Sequence, residues 1–331
     1  MRSCGLGWVG FVLLVCTTNG WAQPPTAAYK PPEGIAFRRA TIISEGSRLA
    51  AECFSLKENE AKPLPTIIMS HGWGGVAASL RQTAVDFARA GYFVVVFDYR
   101  GWGASEGKIV PTKPLKHGKP GAPITVEVKE IREVVDPLDM ATDLQNAIHW
   151  AHGEKQCDTK RIGLWGTSYS GGHVVYVAAR DSRVRATVSQ VPGMDSRFVL
   201  FGQGRRRTLE EATKRAQGEV GYPEPGKVAV GNLRGAPIRE RLMNYAPAEE
   251  ADKAPNCAML FILAEKEELF NNRDHGIKAH ERAKGPKKLV TIPNITHYGI
   301  YREARKQAVK LAIEWFDMHL KSDRPPDPAK K

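Results

Sequence analysis

Residues 161–177, RIGLWGTSYSGGHVVYV, constrain the fold of this chain more than any other stretch. The apolar run at 161–165 suits a buried strand, and 173–179, built of small and branched residues, suits a helix. Only GTSYSGG joins them. Gly166, Ser170, Gly171 and Gly172 are small enough for strand and helix to pack closely through a strained turn, with Ser168 at its tip. A serine on so short a connection has the form of a nucleophile elbow, in which the turn holds the hydroxyl clear of its own backbone. The general pattern is G-x-S-x-G. Here the fifth place is Ser170, and Ser168 is preferred because it alone has a glycine two residues before it. Any Gly-rich turn of an α/β protein could look similar, so the chemistry depends on partners elsewhere.

The rest of the chain alternates strand and helix around that unit. Residues 37–44 and 49–56, divided by Glu45, Gly46 and Ser47, predict an antiparallel hairpin. PTIIMS at 65–70 predicts a strand running into HGWGG, 80–90 a helix, and YFVVVF at 92–97 a strand ending in DYRGWGAS. A helix over 139–151 precedes the elbow. Strands follow at 184–191, 258–264 and 288–292, and a helix over 301–320 closes the series. This order predicts an α/β fold, with a mostly parallel central sheet and helices on both faces. Two stretches interrupt it. Residues 108–135 begin basic and proline-rich and continue as ITVEVKEIREVV, a short strand or ribbon. Residues 194–255, with a helix-like run at 208–217, are too long for a plain connection and predict an inserted cap over the elbow.

Composition sets the class. With 331 residues and 42% hydrophobic content the chain can bury a large core. Residues 1–22 have the form of a signal peptide: Arg2, an apolar run over 6–16, and Gly20, Trp21, Ala22 as a cleavage pattern that leaves Gln23 first. The apolar run is too short to span a bilayer, so periplasmic or secreted export without stable membrane insertion is expected. Residues 23–36 suit a flexible leader and 321–331 a tail. Cys53, Cys157 and Cys257 would remain after cleavage, without C-x-x-C spacing, and suit buried apolar positions. The net charge of +12 is spread along the chain, with clusters at 113–119 and 205–207. It carries no nucleic-acid reading motif, and a solvated basic surface is the expectation.

A serine hydroxyl needs a base, and the base needs a group that fixes its tautomer. In open α/β sheets such groups collect beyond the carboxyl ends of the strands. Of the nine histidines, His297 stands just past the last strand and before the closing helix, after the serine in chain order. The acid is expected after MLFILA, where Glu265, Lys266, Glu267 and Glu268 follow. A Gly-x-x-Asp register that puts Ala264 at the glycine puts Glu267 at the acid, with Glu268 as near rival and Asp274 as distant one. Two backbone donors are expected to face the reacting oxygen: the Trp73 N–H from HGWGG and the Tyr169 N–H beside Ser168. Gly101, Gly103 and Gly107 lack dinucleotide-binding spacing, and no phosphate-loop or zinc-ligand motif occurs, so neither a cofactor nor a metal is expected.

HGWGG, DYRGWGASEG, GTSYSGG, AEKEE and THY, in that order, resemble the α/β-hydrolase superfamily over about residues 37–320. Gly166, Ser168, Tyr169 and Gly171 resemble the G-x-S-Y-x-G elbow of the X-Pro dipeptidyl-peptidase and cocaine-esterase-like hydrolases, whose larger members carry a C-terminal β-domain after the point where this sequence stops. The resemblance implies Ser168, Glu267 and His297 as triad and Trp73 and Tyr169 as oxyanion donors. Together with the signal-like residues 1–22, these features predict an exported serine hydrolase acting on a small-molecule ester, or less readily an amide. The alternatives are an X-Pro exopeptidase and a non-catalytic binder of an anionic polymer.

Overall fold

A two-residue turn sets the first register. In the computed structural model, which describes residues 29–322 except 117, 227, 231 and 232, with side chains at 227–232 left aside, strands β1 (Ile35–Ser44) and β2 (Ser47–Leu56) pair antiparallel from Ser44↔Ser47 to Ile35↔Leu56. Glu45 and Gly46 both take positive φ, 47° and 89°. That is the form of a type I′ turn, whose twist matches the strands it joins. Ser47, expected in the turn, therefore opens β2. The chain divides into Met1–Pro31 and Pro32–Lys331, and all that follows concerns the second unit. The expected export signal, the leader up to residue 28 and the tail beyond 322 lie outside the described residues.

Next come β3 (Leu64–Ser70), α1 (Arg81–Arg89) and β4 (Phe93–Phe97). The basic stretch then forms a ribbon, β5 (Lys108–Pro111) against β6 (Val128–Ile131), followed by the short β7 (Val134–Val135). Asp136 caps α2 (Pro137–His152) by accepting from the Leu138 and Asp139 amides, and Pro137 takes the first helical position, where a missing N–H costs nothing. Strand β8 (Cys157–Thr167) leads into α3 (Tyr169–Ala178), then β9 (Val184–Gln190). Helix α3 starts four residues earlier than the sequence suggests. Gly171 and Gly172 lie inside its first turns, against Pro192 and Gly193, so their smallness serves packing and not a longer turn. Between β9 and β13 (Ala258–Lys266) stand α4 (Gln203–Ala216), the short strands β10 (Val228–Val230), β11 (Leu233–Arg234) and β12 (Ala236–Pro237), and α5 (Arg239–Leu242). The chain ends through α6 (Lys278–Arg282), β14 (Lys287–Thr296) and α7 (Arg305–Phe316). The closing helix, expected over 301–320, is shorter: Tyr301 ends a separate 3-10 turn (Tyr298–Tyr301), and Asp317–Lys321 winds on as a wider π turn.

The central sheet has the order β1-β2-β4-β3-β8-β9-β13-β14, antiparallel at β1-β2-β4 and parallel from β4 onward. Helices α2 and α3 pack together in one layer, and α1 packs with α7 in another. Every residue of β4, FVVVF, is buried, the continuous apolar pattern of a strand covered on both faces. Cys53, Cys157 and Cys257 are buried, unpaired thiols, as their scattered spacing suggests. No helix among the described residues is long and apolar enough to cross a membrane.

One buried ion pair ties three elements together. The Arg100 guanidinium, just past β4, donates to Asp143 Oδ1 of α2 from Nε at 2.8 Å and Nη2 at 2.6 Å, and its amide donates to Oδ2 at 2.9 Å. Ser44 at the end of β1 donates to the same carboxylate at 2.7 Å. Burial pushes the Asp143 carboxyl up, and the bonds from Arg100 pull it back. Removing one partner strands the other charge in the core, so Asp143→Ala is expected to lower the unfolding free energy by roughly 3–5 kcal/mol in urea melts. A loss near zero would show that Arg100 regains water.

Candidate active site

Strand β8 ends at Thr167, and Ser168 adopts φ 54° and ψ −122°. For a residue with a side chain this backbone costs about 1–3 kcal/mol and persists only when its surroundings over-determine it. They do. The Ser168 amide donates to the Gln190 carbonyl at 2.8 Å, and its own carbonyl accepts from the Gly171 and Gly193 amides, both at 2.9 Å. A methyl group at Gly166 would overlap the Ser170 carbonyl, so the chain can double back this tightly only with glycine there.

Ser170, the departure from the elbow pattern, points away from the site. It is fully buried; its hydroxyl donates to the His71 carbonyl and accepts from the Tyr99 phenol at 2.8 Å. That bond fastens the elbow to the HGWGG turn. Gly72 in turn lies against the elbow, where a methyl group would stand 2.7 Å from Ser168 Cβ.

Ser168, Glu267 and His297, remote in sequence, are brought together because each is the first residue past the carboxyl end of a parallel strand: β8, β13 and β14. Lys266 pairs with Thr296 across an irregularity in the β13-β14 ladder, which sets the next residue of each strand, Glu267 and His297, face to face. His297 Nε2 is 3.1 Å from Ser168 Oγ, and its Nδ1 is 3.0 and 2.9 Å from the two Glu267 oxygens. The imidazole and the Glu267 carboxylate are each only 2% exposed. With a carboxylate at Nδ1 the proton sits there, and the Nε2 lone pair faces the serine.

The near rival Glu268 binds the backbone instead of the ring, its carboxylate accepting the His297 amide at 2.5 Å. Glu265 accepts the Asn294 amide at 2.7 Å, and Glu267 also takes the Leu269 amide at 3.0 Å. Three glutamates that could pass for a solvated loop thus hold the β13 and β14 ends in register. Asp274 lies in the turn Arg273–Ile277 and takes no part in this arrangement.

Tyr169 opens α3, so its N–H is one of the helix's free first-turn donors. Trp73 stands inside the tight turn closed by the Gly75 amide on the Gly72 carbonyl, and its indole Nε1 donates to the Gly235 carbonyl at 3.0 Å. The two rings pack at 5.1 Å. Other histidines serve the structure. His149 accepts from Arg183, and His275 Nδ1 accepts the Met194 amide at 2.7 Å. His173 bonds the buried Tyr245 phenol through Nδ1, and Tyr169 meets Ser196 at 2.9 Å, so residues 194–255 are anchored directly to the elbow helix. Arg206 and Arg207 pair with Glu210 and Glu211 on the exposed face of α4, as a solvated cluster would. Gln190, Thr167 and Tyr301, which meet behind Ser168, carry no signal in the sequence.

The family described as X-Pro dipeptidyl-peptidase (S15 family) matches residues 45–215. An uncharacterized 31.7 kDa protein in the traX-finO intergenic region of Escherichia coli is 29% identical over 309 residues, spanning 84% of this chain and 98% of that one. Among solved structures, the hypothetical protein PA2218 from Pseudomonas aeruginosa superposes with a TM-score of 0.70 at 21% identity, covering 88% of this chain and 96% of its own. The α/β hydrolase GrgF from Penicillium superposes at 0.65 and 19% identity, covering 87% and 99%. Both share the fold.

Burial of the histidine under the elbow has a consequence for stability. Burial, and next the nearby His71, hold His173 down at about 3, and burial also lowers His71. The unfolded chain takes up protons at these histidines near pH 6.5 while the native one refuses them, so stability falls as pH drops from about 6.5 towards 3. For His173 the loss is about 2 kcal/mol at pH 5 relative to pH 8. Urea melts at the two pH values are expected to show it, with a shallower dependence in His173→Gln. Equal dependence in both proteins would mean that the ring is protonated or hydrated in place.

Proposed function

Because the chain belongs to the X-Pro dipeptidyl-peptidase (S15) family of α/β-hydrolases, we propose that it is a serine hydrolase that cleaves a small-molecule carboxylic ester through an acyl-enzyme on Ser168. The observation that carries this reading is the unbroken path from Glu267 through His297 to Ser168, with 3.1 Å between imidazole and hydroxyl. His297 Nε2 takes the hydroxyl proton as Ser168 Oγ attacks the acyl carbon, and Glu267 holds the ring and balances its charge. The oxygen of the tetrahedral intermediate faces the Tyr169 and Trp73 N–H groups, and the amino end of α3 favours its charge. Collapse expels the alcohol, which takes the proton from His297. Water, activated by the same imidazole, then attacks the acyl-enzyme and frees the acid.

The family description favours a second reading, release of an X-Pro dipeptide from a peptide. Faster turnover of Gly-Pro-p-nitroanilide than of p-nitrophenyl acetate would establish it in place of the first. Export to the periplasm or medium is proposed from residues 1–22 alone, and fractionation of expressing cells is expected to recover a chain beginning at Gln23 outside the cytoplasm.

Ser168→Ala is expected to abolish both labelling by a fluorophosphonate and hydrolysis of p-nitrophenyl acetate, whereas Ser170→Ala keeps both. Glu267→Gln should slow turnover by roughly 100- to 10,000-fold. Undiminished labelling of Ser168→Ala would remove the nucleophile and the reading with it.

A further inference from the structure

The hairpin that carries β5 and β6 turns an apolar face outward. Ile109 pairs with Glu130 and Pro111 with Val128. Residues directly opposite one another in an antiparallel pair project to the same side, so Ile109, Pro111 and Val128 share a face. That face is turned to solvent: Ile109 is 65% and Val128 41% exposed, whereas Ile131, on the other side opposite Lys108, is buried. The Thr112 amide donates to the Glu127 carbonyl and carries the pairing one step further. Just before, Ile124 and Val126 keep the alternate spacing of Val128 and are exposed too. With Leu115, this hairpin holds five of the eleven large apolar side chains left exposed among the described residues. Single exposed apolar residues are ordinary, but such a concentration marks an interaction surface.

The charge of the hairpin is equally one-sided. Between 111 and 129 the lysines at 113, 116, 119 and 129 stand against one acid, Glu127. Lys113 meets Glu127 at 3.2 Å and Lys129 meets Glu224 at 3.0 Å, in exposed pairs that water and salt screen. Lys116 and Lys119 are exposed as well. The prolines at 111, 114, 120 and 123 have no N–H, so the edges of the hairpin are poor templates for an added strand.

We propose that this hairpin docks the protein on a bilayer surface rich in anionic lipid headgroups, with its apolar face in the interface and its lysines on the headgroups. An acidic polymer would match the lysines but leave the apolar face in water. A second copy of the chain would cover that face but set lysine against lysine, and the prolines obstruct strand pairing. A neutral bilayer would leave the charges without partners. An anionic bilayer satisfies both features at once. The attachment is peripheral, since no helix among the described residues is long and apolar enough to cross a membrane. It does not depend on the hydrolase reading.

Co-sedimentation of the full chain with lipid vesicles tests the proposal. Binding is expected to phosphatidylcholine vesicles that contain phosphatidylglycerol, at least about tenfold weaker to phosphatidylcholine alone, and it should fall as salt rises. Lys116→Gln with Lys119→Gln should weaken it about 25-fold, near fivefold for each lysine. Ile124→Ser with Val126→Ser should weaken it roughly tenfold. All four positions are exposed, so urea melts of both double variants should match that of the unsubstituted protein. Absence of vesicle binding, or binding that neither pair of substitutions weakens, overturns the proposal. Equal retention on soluble polyglutamate, unaffected by Ile124→Ser with Val126→Ser, overturns it in favour of an acidic polymer. Concentration-dependent dimerisation that the same pair abolishes overturns it in favour of a second copy.

Discussion

The backbone of Ser168 is held in a conformation it would not choose, and the site is organised by what holds it there. Three backbone hydrogen bonds fix the residue: one to the end of β9 and two from the glycines at 171 and 193. Gly166 makes the reversal sterically possible, and the strain of about 1–3 kcal/mol is carried by packing on all sides. The hydroxyl is thereby presented to His297 without any motion of the chain. Preorganisation of this kind removes from the reaction the cost of aligning groups.

Much of this is legible in the sequence because the sheet imposes its own grammar. Each of three parallel strands delivers one functional residue at its carboxyl end, so the positions of 168, 267 and 297 follow from where apolar runs stop. The choice between Glu267 and Glu268 is open from sequence, since both carboxylates bond groups of His297. Only three-dimensional register distinguishes the one on the ring from the one on the amide. The start of α3 departs from the sequence expectation for a related reason. Glycines weigh against a helix when counted by propensity, but here tertiary contact with Pro192 and Gly193 outweighs that local preference.

Pairings between side chains of ordinary type, far apart in the chain, leave no such trace. Gln190, Thr167 and Tyr301 carry no motif, and neither do Ser44, Arg100 and Asp143. Ser170 is instructive because it is a departure from the usual glycine. Its hydroxyl finds two buried partners in His71 and Tyr99, so the extra polar group is satisfied and the elbow gains a tie to the neighbouring turn.

The indole bond from Trp73 to the Gly235 carbonyl reaches across 162 positions, from the turn after β3 into the segment between β9 and β13. Residues 236–237 are also stitched to β7 as an extra parallel rung. The segment between β9 and β13 is therefore mechanically coupled to the HGWGG turn that lies against the elbow. A graft of that segment from a homologue would transplant more than a new lining. It would also shift the HGWGG turn, so under the proposed mechanism, in which the Trp73 amide faces the reacting oxygen, selectivity and rate become linked traits.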